Sequence, residues 1–555
     1  MKIAMAQINP TVGDFSGNTV KILEFLSKAR EQDADVVIFP EMAVAGYPPQ
    51  DLLLEQSFLE ANRAALDEIV KKTKGIVAVV GFVDYNEEDL FNAAAVIQNG
   101  SILKVIYKTL LPTYDVFDEA RYFTPLEHER IQPVSLRIGR QEVKLGVQIC
   151  EDLWDDEYDI KVTSILVERG AQLILNISAS PFYTAKCFKR EEEVRDRAVA
   201  NKVPIFLTNM IGGQDELVFS GQSVAIDADG RIIARGADFE EDLVMTELDP
   251  DTMTAPEVPS PDYDRYNEMF SALVLGLQDY FKKTGFQRAV LGLSGGIDSS
   301  LTACIASEAL GPKNIIGVSM PSEFSSDHSK SDAEVLAQNL GIHFVKAPIQ
   351  SIVDEFHAST EALLFDLRTI HLVKPENDDP VADENIQPRV RSNILMDISN
   401  RFRDLRILVL NTGNKTELAL GYCTLYGDMT GGVGVIGDVS KLEVYALAKW
   451  YNKMKGKQVI PKGSIDKKPS AELKPDQFDP FDFDIVSPLV DDIIEDRKSR
   501  SELVEMGYPP EVVNDVYGRV RRAEYKRWQA PPCIKITQKA FGVGWKMPIV
   551  NKHQG

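Results

Sequence analysis

The 555-residue sequence predicts an α/β protein with a sandwich of β-sheets flanked by helices, followed by a domain with a doubly wound parallel sheet. Three observations carry this prediction. Apolar runs of strand length alternate with amphipathic helical segments through the first half, and short turns join some of these runs directly. A proline-rich, acidic stretch without apolar periodicity then divides the chain. Beyond it, a glycine-rich loop follows an apolar strand, and further strands are separated by helices, which is typical of a doubly wound sheet.

The first half contains the strand-like runs KIAMAQI, DVVIFPE, IVAVVGF, AAAVIQN, SILKVIYK, VKLGVQIC, AQLILNI and VPIFLTN. Helical patterns occupy residues 16–32 and 56–72. Asn99-Gly100 and Asp229-Gly230 lie between pairs of apolar runs, where such dipeptides favour tight hairpins. This mixture of hairpins with strand-helix alternation predicts the sandwich.

The domain boundaries follow from the dividing stretch LDPDTMTAPEVPSPDYD. We expect a first domain over residues 1–250, a linker over 251–263 and a second domain over 264–555. The second domain begins with a helix near 264–283, and AVLGL, NIIGVSM, HFVKAP and RILVLNTG are its predicted strands. Polar stretches near 371–388 and 461–482 are predicted loops that could cover a site.

The charge balance and the cysteines narrow the class of protein. Acidic residues number 84 and basic residues 61, a net charge of -23. This excess of negative charge argues against a nucleic-acid platform or binding to an anionic membrane. We expect no signal peptide and no membrane helix, because the apolar runs are too short. The five cysteines form no CxxC pair, which indicates neither a zinc cluster nor a disulfide framework but a reducing, cytoplasmic setting.

Three chemically suited residues each follow an apolar strand of the first half. They are Glu41, Lys108 and Cys150. In a single sheet, all three could lie at its carboxyl edge, where open α/β sheets place active sites. A thiolate attacks an amide carbonyl, a carboxylate can take the thiol proton, and an ammonium group can stabilise the resulting oxyanion. The set therefore predicts amide hydrolysis through an acyl-enzyme.

A glycine-rich loop, LGLSGGIDSS, joins a strand to a helix in the second half. Glycines let backbone N–H groups approach a phosphate, and the helix amino end favours the same anion. Ser294 and Ser299 can donate hydrogen bonds, and Asp298 can bind a Mg²⁺ ion that neutralises phosphate oxygens. The loop lacks the ending of a Walker A motif and the spacing of a dinucleotide-binding motif. The expected ATP-binding residues of the loop are Gly292, Leu293, Ser294, Gly295, Gly296, Ile297, Asp298 and Ser299.

The words around the first three residues resemble the glutaminase branch of the nitrilase family. FPEMAVAGYPPQDLL carries Glu41, YKTLLPTYDVFDE carries Lys108 and VQICEDLW carries Cys150. The resemblance implies an α-β-β-α sandwich in which these residues form the catalytic triad. It further implies a glutamine site formed by Tyr114, Glu119, Ser180 and Lys186, with Glu119 as a supporting second glutamate. Ser220 stands where an aspartate is expected in many relatives.

The second half resembles the NAD⁺ synthetase family of the ATP pyrophosphatase class, through SGGIDSS, LNTGNKTELALGYCTLYGDMTGG, DVSKLEVYALAKW, KKPSAELKPDQ and EYKRWQAPP. The resemblance implies a Rossmann-like fold that cleaves ATP between its α and β phosphates. By resemblance, Thr412, Lys441 and Ser470 contact ATP, and Glu417 joins Asp298 in binding Mg²⁺. The residues that it assigns to deamido-NAD⁺ are Asn385, Arg389, Glu417, Asp428 and Lys526. Pro388 in QPRVR departs from the expected alanine and restricts the backbone before Arg389.

Together the two resemblances predict an enzyme, a carbon–nitrogen ligase that takes ammonia from glutamine and amidates deamido-NAD⁺ with ATP. They also imply a homo-oligomer built on dimers of the second domain. Three alternatives stay open at this stage. The first half could be an amidase with its own substrate, the second half could adenylate tRNA, and the chain could be a scaffold that retains both folds. Intact Glu41, Lys108, Cys150, SGGIDS and TGNKTE argue against the last.

Overall fold

A computed structural model describes residues 1–138, 141–249, 252–370, 379, 381–474 and 477–553. The chain divides into two compact units, Met1–Arg265 and Tyr266–Gly555. Residues 252–264 contain neither a helix nor a strand. The domain limits at residue 250 and the linker over 251–263 stay predictions.

The first unit contains two six-stranded sheets and a short two-stranded ladder. Its strands are β1 (Lys2–Gln7), β2 (Val36–Ile38), β3 (Val77–Tyr85), β4 (Leu90–Gln98), β5 (Ser101–Tyr107), β6 (Val134–Ile138), β7 (Gln141–Ile149), β8 (Leu173–Ser178), β9 (Ile205–Asn209), β10 (Ile211–Gln214), β11 (Leu217–Ser220), β12 (Val224–Ile226), β13 (Ile232–Arg235) and β14 (Asp242–Glu247). Its helices are α1 (Phe15–Glu31), α2 (Gln56–Lys72), α3 (Val162–Glu168) and α4 (Lys186–Asn201). The sheet orders are β14-β1-β2-β3-β4-β5 and β13-β12-β9-β8-β7-β6.

The two faces of β1 show why this unit is a sandwich. Ile3 and Met5 pack in the apolar core that the two large sheets share. Ala4 and Ala6 alternate with them and pack in a second core with the buried residues of α1 and α2. A strand buried on both faces has no polar alternation, and this is why the strand runs read as continuous apolar words. The predicted α-β-β-α arrangement is confirmed.

Both predicted hairpins are present. Asn99 and Gly100 have φ values of 51° and 82° and join β4 to β5 in an antiparallel pair. Positive φ at both turn positions is what the Asn-Gly dipeptide favours. Asp229-Gly230 lies in the turn between β12 and β13, which also pair antiparallel.

The second unit contains a five-stranded parallel sheet in the order β17-β16-β15-β18-β19. Its strands are β15 (Arg288–Gly292), β16 (Ile315–Ser319), β17 (His343–Lys346), β18 (Ile407–Asn411) and β19 (Val433–Gly434). The helices are α5 (Arg265–Thr284), which begins at the boundary between the units, α6 (Ile297–Leu310), α7 (Asp327–Leu340), α8 (Gln350–Thr369), α9 (Val381–Arg401), α10 (Lys415–Leu420), α11 (Lys441–Met454), α12 (Lys462–Asp466), α13 (Phe483–Ile494), α14 (Arg500–Glu505), α15 (Pro510–Arg522) and α16 (Glu524–Arg527).

The strand order reverses beside β15, the central strand. The chain leaves β15 toward β16 on one side and later returns to β18 on the other side. Loops that follow two such strands separate at this point and leave a crevice at the carboxyl edge. The doubly wound prediction is confirmed, and the reversal places the loops after β15 and β18 beside each other.

The two predicted polar loops have different outcomes. Residues 371–378 and 380 lie outside the described residues, and from Val381 onward the chain is helical, so the loop prediction for 381–388 is wrong. The helix forms because Ile386, Val390 and Leu395 bury one side of α9 in a core with the sheet. The stretch near 461–482 is irregular in its described part apart from α12.

No helix among the described residues is long and apolar enough to cross a membrane.

Candidate active sites

The carboxylate, the ammonium group and the thiol predicted in the first half come together in one buried cluster. Glu41, Lys108 and Cys150 are only 0%, 1% and 4% exposed. Lys108 Nζ donates to Glu41 Oε1 at 2.8 Å. Glu41 and Lys108 lie just beyond β2 and β5 in one sheet, whereas Cys150 follows β7 in the facing sheet. The cluster therefore spans two sheets, where the sequence suggested the edge of a single one.

Glu119 is the second carboxylate bound to Lys108. Lys108 Nζ donates to Glu119 Oε1 at 2.9 Å and to Oε2 at 2.8 Å. Tyr47 OH donates to Glu119 Oε1 at 3.1 Å. Burial disfavours the Lys108 ammonium, but Glu119 and Glu41 outweigh this effect and hold the pKa of Lys108 well above its usual value. Lys108 is therefore a fixed cation at neutral pH.

Glu41 is oriented by donors from two neighbouring elements. Asn92 Nδ2 donates to its Oε1 at 2.7 Å, and the backbone N–H of Ala179 donates to its Oε2 at 2.9 Å. Gly81 of β3 lies against the same segment, and a Cβ there would come within 2.3 Å of the Pro40 carbonyl oxygen. Glycine at position 81 thus lets the segment that carries Glu41 lie close against β3.

Cys150 occupies a sharp turn directly after β7. Its φ is 45°, a left-handed conformation that costs a non-glycine residue roughly 1–3 kcal/mol. Asn176 Nδ2 donates to the Cys150 carbonyl at 3.3 Å. Burial and the Glu41 carboxylate raise the pKa of the Cys150 thiol, although Lys108 opposes them. The resting thiol is therefore protonated at neutral pH, and its attack needs a base nearby.

Two tyrosines bind the side chain of Glu151, the residue directly after Cys150, which the sequence did not single out. Tyr114 OH donates to both Glu151 oxygens at 3.1 Å, and Tyr158 OH donates to Oε1 at 3.1 Å. Tyr114 is 54% exposed, whereas Glu151 is buried. Ser180 is buried, and the ammonium of Lys186 donates to the Pro181 carbonyl at 2.7 Å.

In the second unit, the glycine-rich loop borders a cavity of about 330 Å³ at the carboxyl edge of the sheet. Gly295 has a φ of 80°, and a Cβ there would come within 2.2 Å of the Ser329 carbonyl oxygen. Only glycine fits this turn without displacing α7. The predicted residues that line the cavity are Gly292, Leu293, Ser294, Gly296, Ile297, Asp298, Ser299, Thr412, Glu417, Asp428, Lys441 and Ser470.

Asp298, Glu417 and Lys441 form an ionic cluster on the cavity wall. Lys441 Nζ lies 2.6 Å from Asp298 Oδ2 and 3.2 Å from Glu417 Oε1. Asn414 caps the amino end of α10 and donates to Asp298 Oδ1 at 2.9 Å, so it ties the loop after β18 to α6. Burial and the neighbouring Asp298 carboxylate raise the pKa of Glu417, although the Lys441 ammonium opposes them.

Three residues assigned to deamido-NAD⁺ are not among the described residues that line this cavity. Asn385 Oδ1 accepts from Thr424, the exposed Arg389 donates to the Leu425 carbonyl, and Lys526 donates to two backbone carbonyls. Arg391, two residues further along α9, does line the cavity. Its Nε donates to the Met320 carbonyl at 3.0 Å, and burial lowers its pKa to about 10.

Comparison with known proteins covers both units. A carbon-nitrogen hydrolase family model matches residues 2–256, and an NAD synthase family model matches residues 269–530. The glutamine-dependent NAD(+) synthetase of Thermotoga maritima is 41% identical to this chain, over 100% of the chain and 99% of the relative. The glutamine-dependent NAD(+) synthetase of Synechocystis sp. is also 41% identical, over 99% and 98%.

The chain belongs to the family of glutamine-dependent NAD(+) synthetases.

Solved structures agree with this membership. The glutamine-dependent NAD+ synthetase of Acinetobacter baumannii, in complex with adenosine diphosphate, has a TM-score of 0.76 at 36% identity and covers 99% of this chain and 98% of its own. A glutamine-dependent NAD(+) synthetase from Cytophaga hutchinsonii has a TM-score of 0.82 at 21% identity, over 99% and 98%, which shows the same fold.

The two departures noted in the sequence have structural contexts in this NAD(+) synthetase family member. Ser220 Oγ and Arg190 Nη2 both donate to Gln222 Oε1 at 3.0 Å. The buried Arg190 guanidinium therefore has the amide oxygen of Gln222 as a hydrogen-bond acceptor. Pro388 lies inside α9, and the helix continues through it.

Proposed function

We propose that this chain is a glutamine-hydrolysing NAD⁺ synthetase. In the first unit, glutamine is hydrolysed to glutamate and ammonia. In the second unit, deamido-NAD⁺ reacts with ATP to give an acyl adenylate and pyrophosphate, and ammonia displaces AMP to give NAD⁺. The observation that carries the proposal is the presence of both machineries in one chain: the buried Glu41–Lys108–Cys150 cluster and the cavity bordered by the glycine-rich loop.

The first half-reaction follows from the buried cluster. The Cys150 sulfur attacks the side-chain carbonyl of glutamine while Glu41 takes the thiol proton. The Lys108 ammonium stabilises the negative oxygen that develops. Glu41 returns the proton to the departing nitrogen, and ammonia leaves. Water, deprotonated by Glu41, then breaks the thioester to release glutamate and regenerate the thiol.

The residues next to Cys150 support glutamine as the amide. Glutamine carries an α-ammonium and an α-carboxylate in addition to its reactive amide. Glu151 offers a buried carboxylate for the ammonium, and Lys186 offers a cation for the carboxylate. Tyr114 and Ser180 complete the site that the family resemblance implies. Glu119 does not contact glutamine in this proposal but accepts a hydrogen bond from Lys108 and so holds its ammonium in place.

The second half-reaction uses the cavity of the second unit. The backbone of the glycine-rich loop and the amino end of α6 can receive the phosphates of ATP. Thr412, Lys441 and Ser470 lie on the same cavity. The ion pair with Asp298 keeps the buried Lys441 charged. Its ammonium can stabilise negative charge on the phosphates as pyrophosphate leaves.

The donor set on the cavity wall fits Mg²⁺. Asp298 and Glu417 supply hard carboxylate oxygens, and no group of three or more such ligands is present among the described residues. Mg²⁺ commonly takes one or two carboxylates and completes its shell with water and substrate phosphates. When bound there, the ion would neutralise phosphate charge. Burial, together with the Asp298 carboxylate, raises the pKa of Glu417, and a bound cation would favour its charged form.

The proposed contacts with deamido-NAD⁺ include residues of the cavity wall and residues assigned by family resemblance. Asp428 and Glu417 line the cavity, and Arg391 adds a guanidinium to it. Asn385, Arg389 and Lys526 are assigned by family resemblance.

The partners are small molecules, with no nucleic acid or membrane, and the chain works as a cytoplasmic homo-oligomer through dimers of the second domain. A reducing compartment suits a thiol nucleophile.

A single assay tests the proposal. The purified chain is given ATP, Mg²⁺, deamido-NAD⁺ and glutamine, and NAD⁺, AMP and glutamate are quantified together. We expect the three products in matched amounts. Glutamate without NAD⁺ would support an amidase fused to a different ligase, and AMP without NAD⁺ would show that ATP is cleaved without amidation of deamido-NAD⁺.

A further inference from the structure

Asp152 is a buried carboxylate that joins the backbone beside two members of the catalytic cluster. Its Oδ1 accepts the backbone N–H groups of Thr109 at 3.0 Å and Leu110 at 2.9 Å, the residues directly after Lys108. Its Oδ2 accepts the backbone N–H of Ile149 at 3.0 Å, the residue directly before Cys150. One side chain thus bridges the two segments.

This bridge matters because the two segments belong to different sheets. β5 ends before Lys108 and β7 ends before Cys150, and no strand ladder among the described residues links these two strands. The left-handed Cys150 also needs support from its surroundings to keep its conformation. Asp152 is itself buried, and it lines a cavity of about 200 Å³ together with Thr109 and Val147.

We propose that Asp152 is a positioning residue that sets the distance between the Lys108 ammonium and the Cys150 sulfur. The inference rests on the proposed glutaminase reaction and identifies what holds its nucleophile and its cation in register. A carboxylate suits the position because all three of its partners are N–H donors. An amide offers one acceptor oxygen, and its NH₂ group would face an N–H.

Charge and position have opposite effects on Cys150, which makes the role measurable. Loss of the Asp152 charge alone would lower the pKa of the Cys150 thiol and speed its alkylation at neutral pH. Displacement of Lys108 would remove a favourable interaction with the thiolate and slow the alkylation. The sign of the change therefore separates a positioning role from a simple charge effect.

The experiment compares Asp152→Asn with a matched control, Asp227→Asn. Asp227 is also buried in the first unit and accepts the backbone N–H groups of Asp229 and Arg231, each at 3.0 Å, in the turn before β13. Three experiments are made on the full chain: steady-state kinetics of glutamine hydrolysis for kcat and KM, the pH profile of Cys150 alkylation by iodoacetamide, and NAD⁺ synthesis with free ammonia.

For Asp152→Asn, we expect kcat for glutamine hydrolysis to fall at least about tenfold, when it is expressed per Cys150 thiol that can be alkylated. KM should change by less than about threefold. Alkylation at neutral pH should slow by about threefold or more, with its profile displaced to higher pH. Synthesis from ammonia should be unchanged, and Asp227→Asn should give the wild-type result in all three experiments.

Faster alkylation in Asp152→Asn, an unchanged kcat, or an equal loss in Asp227→Asn would overturn the inference. If Asp152→Asn does not fold, as judged by circular dichroism, Asp152→Glu keeps the charge on a longer arm, and it should fold and lose kcat. Unfolding of both variants would make Asp152 a folding residue and overturn the positioning role. A wild-type chain that alkylates normally but releases no glutamate would count against the glutaminase itself, whereas the alkylation comparison would still test Asp152.

Discussion

The two candidate sites hold their charges in opposite ways. In the first unit, Glu41, Lys108 and Glu119 are buried, and the protein's own groups supply their hydrogen bonds. In the second unit, Asp298 and Glu417 are partly exposed on the wall of an open cavity. A site that generates its own nucleophile can be assembled in advance, whereas a site for a charged nucleotide keeps its charged groups within reach of the ligand.

The largest expected effect separates the sites completely. Cys150→Ala should lower glutamine-dependent synthesis by about 10⁴-fold or more, because the nucleophile is lost. NAD⁺ synthesis with free ammonia should stay near the wild-type rate, measured in the same preparation. Cys187→Ala on α4 is the control and should retain both activities. Glutamine-dependent synthesis that survives in Cys150→Ala would remove the thiol from the mechanism.

Asp298→Ala tests the other side of the comparison. We expect NAD⁺ synthesis to fall by about 10²-fold or more with either nitrogen donor, because a carboxylate that faces the phosphates is lost. Glutamate release measured without deamido-NAD⁺ should persist. Asp327→Ala, an exposed aspartate at the start of α7, should have no effect on either measurement. Normal synthesis by Asp298→Ala would place the metal and the phosphates elsewhere.

Glu119→Gln tests how far the first site depends on its second carboxylate. The amide keeps an acceptor for Lys108 but loses the charge that helps to hold it, so kcat for glutamine should fall about tenfold to a hundredfold. Steady-state kinetics with glutamine measures this, with Glu129→Gln on the surface as the control. Equal rates in both variants would show that Glu41 alone positions Lys108.

The pH dependence of thiol alkylation gives a smaller and independent signal. Because burial and Glu41 raise the pKa of Cys150, the uncharged thiol predominates at neutral pH. The rate with iodoacetamide, taken as the difference from Cys150→Ala, should rise about tenfold per pH unit between pH 7 and pH 9. A plateau below pH 7 would indicate a resting thiolate instead.

The smallest expected effect concerns an exposed ion pair. Lys72 and Glu68 are paired on α2 at 2.7 Å, with both side chains more than half exposed. Lys72→Ala should change the free energy of unfolding by about 0.5 kcal/mol or less, measured by urea denaturation. A loss several times larger would mean that this pair contributes to folding as the buried clusters do.

The sequence predicted those parts of the sites that lie in continuous words next to strands. Glu41, Lys108 and Cys150 each follow an apolar strand. The SGGIDS loop by itself predicts a phosphate-binding site. Their meeting across two sheets was not predictable, because each strand alone is equally consistent with one sheet. The doubly wound class and a sandwich of sheets flanked by helices were predictable from the alternation of strands and helices, whereas the order of the strands was not.

Residues that act through space were missed for a physical reason. Asn92 is a buried polar residue in β4, and no local pattern relates it to Glu41. Glu151 looked like one more polar residue after Cys150. Arg391 and Arg389 are alternate positions on one helix, and only the packing of α9 decides which of them lines the cavity. Helix α9 itself was obscured by Pro388 and by polar residues at its start.

The pairing of β1 with β14 has a consequence for how such a chain can arise. The Met1 ammonium donates to the Leu248 carbonyl at 2.9 Å, and the two strands run antiparallel from Lys2 to Gln7. The first and last strands of the first unit are therefore neighbours, although Met1 and Leu248 lie 247 positions apart in the sequence. A module whose ends meet can be joined to another gene, or opened and re-closed at a new point, with little disturbance of its interior. Circular permutants of the first unit alone should then be a practical route to studying its chemistry apart from the second.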